Sequence, residues 1–531
     1  MRLKPSPAGL SHLLATTLTL GGFALSQDAG QFLVLAFRGS EPPLQLLKQY
    51  RPAGVILYPK NLEGDPGGLV RVLRQTNPRL LVMLDQEGGP FYTYRSPGVV
   101  RFPSAMSLGA AADPLLAERV GQAIGAQVCS LGAQVNLAPV LDVNVNPRNP
   151  IIGLRSFGAD PKKVATLGLA FARGLEKAGV IPSAKHFPGH GDTTMDSHLG
   201  LPRVDKPLSE LEKVELYPFR EAVRAGIPLI MTAHILYPAL DPENPATLSP
   251  AILTGLLREK MGFQGIIVTD DMAMKAIKNH YGAGEAALKA VLAGADLVLL
   301  EPDEAATAEV YRTLQAALDQ GLISKERYQE SQKRLAALEQ RLVGPPCPQP
   351  DRKAQEALGL EAARRGLTWL KGTLPVPGKG TLVVGPKVNS RYGEEPSLAE
   401  LAPRFLPGSL SLEVSENPAP AEEQKALAAA RKAERVVLGT YHWLSSLPQE
   451  QLRLYRALKS LGKPLYVVAL GNPDDLTYLV PAPEGYLATY GYRAVQLQAA
   501  LEALAGAYTP TGRLPIPVGT YPIGFGNGGK L

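Results

Sequence analysis

The chain has 531 residues, 45% of them apolar and 20% charged, with a formal net charge of +6. That length exceeds one ordinary core, so two or more domains are expected, and the composition is that of a globular protein rather than a disordered one. The positive charge is spread thinly, with no Lys/Arg block and no basic stripe interleaved with aromatics, which argues against a dedicated nucleic-acid binder.

The chain starts MRLK and continues SPAGLSHLLATTLTLGGFALSQ, a basic start followed by an apolar run and then Ala24-Leu25-Ser26 before Gln27. This is the pattern of a cleavable secretory signal over 1–26, which would send the protein to the periplasm, cell surface or medium. The alternative is a buried leading helix and a cytoplasmic protein. No later segment has roughly eighteen apolar residues in a row, so no membrane span is expected. Cys129 and Cys347 are the only cysteines, too few for a disulfide framework and not in a CxxC, so cysteine usage points to no compartment.

Short apolar runs then recur at 31–37 (QFLVLAF), 54–58 (GVILY), 80–85 (LLVMLD), 135–143 (VNLAPVLDV), 183–187 (SAKHF), 228–234 (PLIMTAH), 265–270 (GIIVTD) and 295–301 (ADLVLLE). Amphipathic stretches such as PKKVATLGLAFARGLEKAG separate them. Strands this apolar, alternating with helices, belong to a parallel sheet covered by helices. Their number and spacing fit a (β/α)8 barrel over 27–343 better than an open doubly wound sheet. A proline-dense linker (GPPCPQP) and a helix fill 344–370. A smaller α/β sandwich follows over 371–531, with strands expected at TLVVG, RVVLGTY, KPLYVVALG and GYLATYG.

The working face of such a barrel is the carboxyl end of its strands. Several runs end there in a polar residue: Asp85, Asp142, Lys185 with His186, His234, Asp270 and Glu301. A single such Asp is usually a helix N-cap, but convergence of several is not. The densest stretch is KHFPGHGDTTMDSHLG at 185–200, which carries His186, His190 and His198. Metal binding, acid/base chemistry and a satisfied structural loop compete for it. The histidine spacing lies in loop-like sequence and is not the helical HExxH arrangement, so no metal ligand set is assigned. Asp196 and His198, two apart in an extended loop, can pair so that the carboxylate raises the imidazole pKa.

KHFPGHGDT followed by DSH resembles glycoside hydrolase family 3, in its β-N-acetylglucosaminidase branch. The likeness runs through nearly all of 28–531 and includes GVILYPKN, LDQEGG, APVLDVN, GLRSFGADP, MTAHILYPALD, GFQGIIVTDDM, GKPLYVVALGNPDDL and TPTGRLPIPV. The resemblance implies a two-domain retaining exo-glycosidase without cofactor or metal, acting on N-acetylglucosamine-containing glycans such as cell-wall fragments or chitooligosaccharides. It implies Asp270 as nucleophile, His198 with Asp196 as acid/base, and Asp85, Arg155, Lys185 and His186 as sugar-binding residues. A monomer is expected. A β-glucosidase or β-xylosidase of the same family, and a non-catalytic surface glycan binder, are the alternatives; the DSH loop argues against the first and an intact nucleophile against the second.

Two positions depart from the family pattern. Pro90-Phe91-Tyr92-Thr93 follows the glycine pair where a basic residue is common, with Arg95 as a candidate replacement, and Leu154 stands where an acidic residue is usual. Other polar residues have plainer readings. His190 braces its loop, Asp192 makes a turn, and Asp142 and His234 either support neighbours or touch substrate. Asp271 points away from Asp270 and caps the next helix, while Tyr441 and Trp443 pack.

Overall fold

The computed structural model describes residues 27–342, 347–388, 395–443 and 446–526. The expected signal segment, 1–26, lies outside the described residues, as does part of the 344–370 linker. Among the described residues no helix is long and apolar enough to cross a membrane.

The first sheet has eight parallel strands: β1 (Leu33–Leu35), β2 (Gly54–Leu57), β3 (Leu81–Leu84), β4 (Val135–Asn136), β5 (Ile181–Phe187), β6 (Leu229–Thr232), β7 (Ile266–Val268) and β8 (Val298–Leu300). Each from β1 to β6 pairs with the next in sequence, and β8 pairs with β1. A parallel bridge between Val268 and Leu297 completes the ring. The strands are buried on both faces, as their unbroken apolar runs require. Val34, Ile56, Met83, Met231, Val268 and Leu299 fill the interior, while Leu33, Leu35, Val55, Val82, Ile230 and Ile267 face the helices. Leu335 and Leu338 of the helix Lys325–Arg341 plug the bottom. The strands are shorter than the apolar runs because the chain leaves the ladder at its carboxyl ends, where the side chains of the site begin. β4 is the extreme case: Pro139 has no N–H to donate, and pairing resumes only as a bridge between Val140 and Lys185.

The second sheet contains β9 (Thr368–Lys371), β10 (Thr381–Lys387), β11 (Leu410–Ser415), β12 (Arg435–Thr440), β13 (Leu465–Ala469) and β14 (Gly485–Ala488). Its order is β9-β14-β13-β12-β10-β11, with only β9 antiparallel to its neighbour. Apolar clusters cover both faces, giving the layered α/β arrangement. Two of these strands were not read from the sequence. β9 falls in the stretch read as linker and helix, and β11 is an edge strand whose outer residues are exposed, so it lacks an apolar run.

The two units share a core. Met106, Ala110 and Leu154 of the barrel unit pack with second-sheet residues such as Leu370 and Tyr490. The backbone carbonyl of Gly89 accepts from buried Arg493 (2.9 Å to Nε), Ser104 Oγ donates to the Tyr490 carbonyl (2.6 Å), and Asn472 Nδ2 donates to the Pro147 carbonyl (3.1 Å). The departure at Leu154 is thereby explained: it is apolar because it belongs to this joint.

The two cysteines, too few for a framework, do form one bridge. Cys129, in the helix Pro114–Leu131, is bonded to Cys347, 218 residues later. No spacing rule exposes such a pair. The helix Arg352–Gly366 folds back on the first helix, with Gln127 Nε2 donating to Gln355 Oε1 at 2.9 Å, and this brings the cysteines together.

Candidate active site

The carboxyl ends of the strands surround a cavity of about 240 Å³. Ile56, Leu137, Met231 and Leu299, the upper layer of the barrel interior, form its floor. Asp85, Arg155, Lys185, His186, His198 and Asp270 all line it. Every residue expected to act or bind is therefore at one site except Asp196, which stands behind His198.

One wall is an ion-paired network. Lys185 Nζ lies 2.5 Å from Asp85 Oδ1 and 2.7 Å from Glu87 Oε1. Arg155 grips the same Glu87 in a two-pronged pair, Nε to Oε2 at 2.9 Å and Nη2 to Oε1 at 2.8 Å, and lies over the Phe91 ring at 4.3 Å. Burial alone would raise the Glu87 pKa, but the Arg155 and Lys185 charges bring it down to about 2. Those two carboxylates likewise outweigh burial at Lys185 and hold its pKa above the ordinary value. A bulge in β5 between Ala184 and Phe187 lets successive residues Lys185 and His186 both face the cavity.

His186 is oriented by Asp142, which has no exposed surface. Asp142 Oδ2 lies 2.7 Å from His186 Nδ1, and Oδ1 accepts the backbone N–H groups of His186 (3.1 Å) and His190 (2.6 Å). Burial would raise the Asp142 pKa, but the histidine charges and these bonds hold it below the carboxylate range. An ionised carboxylate only accepts, so Nδ1 carries the hydrogen and Nε2 faces Arg155 Nη2 at 3.4 Å. Asp142 is thus a support rather than a substrate contact. His234 is too: its ring bonds Thr247 Oγ1 and the Asp271 carbonyl, each at 2.8 Å.

Asp270 follows β7 at the cavity edge. Burial would push its carboxyl up, but His186, His234, the Asp271 N–H at 2.8 Å and His198 hold it below the usual range. On the loop after β5, His198 Nδ1 lies 2.8 Å from Asp196 Oδ1, which also accepts the His198 N–H at 2.9 Å. That hydrogen bond raises the His198 pKa, and Asp270 adds to the effect. The glycines of this loop permit its course: a Cβ on Gly191 would stand 1.8 Å from the Val143 carbonyl oxygen, and Gly189 has φ +144°.

Asp271 departs from the expected orientation. Its Oδ1 does accept the Ala273 N–H at 3.0 Å, as a turn cap would, but its carboxyl also lines the cavity beside Tyr58, whose hydroxyl donates to Oδ2 at 3.3 Å. Burial, with Glu301 and Asp270 nearby, pushes its pKa up to about 7. Phe91, Tyr58 and Glu87 were missed in the sequence; LDQEGG carried a hint of Glu87, but only the fold shows its two cationic partners. Arg95 donates from Nε to the Tyr92 carbonyl at 2.6 Å and does not line the cavity, where Phe91 stands instead. Trp443 of the second unit packs edge-on against Phe91, with centroids 5.5 Å apart. Among the described residues no group of three or more His, Cys, Asp or Glu is placed to hold a metal ion.

Residues 24–338 match the model of the glycosyl hydrolase family 3 N-terminal domain. A solved β-N-acetylglucosaminidase of that family from Paenibacillus sp. str. FPU-7 is 34% identical, covers 93% of this chain and 99% of its own, and superposes with a TM-score of 0.86. Beta-hexosaminidase A of Pseudoalteromonas piscicida is 37% identical over 327 residues, 56% of this chain and 55% of that protein, so the chain spans about half that relative's length. Beta-hexosaminidase of Nitrosomonas eutropha is 35% identical over 300 residues, 54% of this chain and 84% of that protein. With its family model matched over most of the chain and its barrel and second sheet both in place, the chain is a glycoside hydrolase that belongs to glycosyl hydrolase family 3.

Proposed function

We propose that the protein removes terminal β-linked N-acetylglucosamine from cell-wall fragments or chitooligosaccharides by a two-step retaining mechanism. The observation that carries this reading is the meeting, in one cavity, of an ionised Asp270 and a carboxylate-paired His198. A cavity of about 240 Å³, smaller than the roughly 300–1,000 Å³ of drug-sized sites, suits a single terminal ring.

In the first step an Asp270 oxygen bonds to C1 as the C1–oxygen bond to the leaving group breaks, and the Nε2 proton of His198 passes to the departing oxygen. In the second, water attacks C1, its proton goes to His198 Nε2, and the Asp270 ester oxygen leaves. Asp196 holds the imidazole by Nδ1 and stabilises its charged form, keeping a proton available near neutral pH. Asp85, Lys185, Arg155 and His186 would orient the ring hydroxyls through charge-assisted hydrogen bonds. N-acetylglucosamine is favoured over glucose or xylose by the named activities of the similar proteins and by the Asp-Ser-His loop.

The bonded Cys129–Cys347 pair supports an oxidising compartment, in line with export directed by 1–26. The test is a metal-free assay of the purified protein on aryl β-N-acetylglucosaminide, β-glucoside and β-xyloside. The first should be turned over far faster; equal or reversed rates would refute the substrate reading.

A further inference from the structure

His198 has a half-exposed side chain, and its ring is held by Asp196 on the same loop. Its distance from Asp270 therefore depends on what fixes the loop. The residue just before it, Ser197, is 2% exposed and is held from two sides. Its carbonyl accepts the N–H of Ala276 at 3.1 Å, and Ala276 lies in the short helix Lys275–Lys278 that follows Asp270. Its hydroxyl lies 3.1 Å from His190 Nε2.

His190 is itself buried, and its Nδ1 lies 2.8 Å from Thr193 Oγ1. The Thr193 hydroxyl has one hydrogen, and the His190 carbonyl, 3.1 Å away, takes it. His190 Nδ1–H then donates to Thr193, and Nε2 accepts from Ser197. Burial and the neighbouring His186 push the His190 pKa down to about 4, so the ring is neutral and keeps that acceptor. Both nitrogens are used inside the loop, leaving none for a sugar even though the ring borders the cavity. The backbone is equally fixed: His190 N–H donates to Asp142, and its carbonyl accepts from Asn149 Nδ2 at 2.8 Å.

We propose that His190 is the positioning residue of the acid/base loop: it does not react, but through Ser197 it sets where His198 stands relative to Asp270. One Asp142 carboxylate thereby anchors both the sugar-binding His186 and the origin of the proton-donor loop.

This inference rests on the mechanism above, and its test separates the two. Ser197→Ala, His190→Ala and His190→Gln are compared across aryl β-N-acetylglucosaminides of graded leaving-group acidity. A leaving group that needs no protonation should lose little in any variant. For poor leaving groups His190→Ala should lower kcat/KM by about 10²-fold, at the low end of what a positioned acid contributes. Ser197→Ala, which leaves the fold least disturbed, should fall in the same direction by less. His190→Gln, with both a donor and an acceptor, should recover part of the loss. In a His198→Ala background, Ser197→Ala should cost nothing further. Even losses across leaving groups in Ser197→Ala, or additive losses in the His198→Ala background, would overturn the positioning role alone. A wild-type protein inactive on the whole series would overturn the functional reading and this inference with it.

Discussion

Replacing Glu87 by Gln removes the one carboxylate shared by Arg155 and Lys185. Both cations are 6% or less exposed at the side chain, so the change leaves buried positive charge, with Asp85 still paired to Lys185. The Glu87 pKa falls from an ordinary 4.5 to about 2 in the folded protein, a difference corresponding to about 3 kcal/mol of native-state stabilisation. Because folding depresses this pKa, the carboxylate stabilises the fold only where it is ionised. The contribution is fully present above pH 4.5, shrinks to about 1 kcal/mol near pH 3 and vanishes as pH falls through 2. Equilibrium denaturation of wild type and Glu87→Gln at pH 7, 4.5 and 3 reads this directly. The variant should be less stable by about 3 kcal/mol at pH 7, with the gap closing at pH 3. A gap that does not change with pH would refute the electrostatic origin and leave only packing. Turnover should fall as well, because Arg155 and Lys185 lose the group that aims them.

Asp271 runs the opposite way. Its folded pKa is raised, so ionising it costs stability as pH climbs from 3.8 through about 7. Asp271→Asn should be more stable than wild type at pH 8 and no different near pH 4, checked by melting temperature at the two pH values. Arg155→Lys keeps the charge but loses the two-pronged grip on Glu87, and should raise KM by at least about tenfold, read from steady-state kinetics. Cys129→Ser opens a link that closes a 218-residue span, and should destabilise by about 2–5 kcal/mol, with wild type under reducing agent behaving alike in denaturation.

The barrel was legible because strands buried on both faces must be continuously apolar, and helices between them must be amphipathic. Strand ends were less so: Pro139 and the β5 bulge alter pairing in ways that an apolar run does not register. In the second unit the inner strands could be read and the two edge strands, β9 and β11, could not, since partly exposed residues carry no such run. At the site, the candidate residues stand in recognisable strings, LDQEGG, GLRSFGADP, KHFPGHGDTTMDSH and GFQGIIVTDDM. The groups that tune them do not. Glu87 gains its role from cations 68 and 98 residues away, and Tyr58 meets Asp271 across 213. Asp271 was misread because a turn cap and a cavity-lining carboxyl have the same sequence signature; only the position of Tyr58 distinguishes them. The cysteine pair was hidden as well, because Cys347 meets Cys129 only once the helix Arg352–Gly366 folds back on the helix Pro114–Leu131.

The proposed mechanism stands on a covalent bond between Asp270 and the sugar. Incubation with a fluorinated N-acetylglucosaminyl fluoride that forms a slow-turnover intermediate, followed by peptide mass spectrometry, tests it most directly. One sugar adduct on the peptide containing Asp270, absent from Asp270→Asn, is the expected result. An adduct on another residue, or unimpaired turnover by Asp270→Asn, would contradict it.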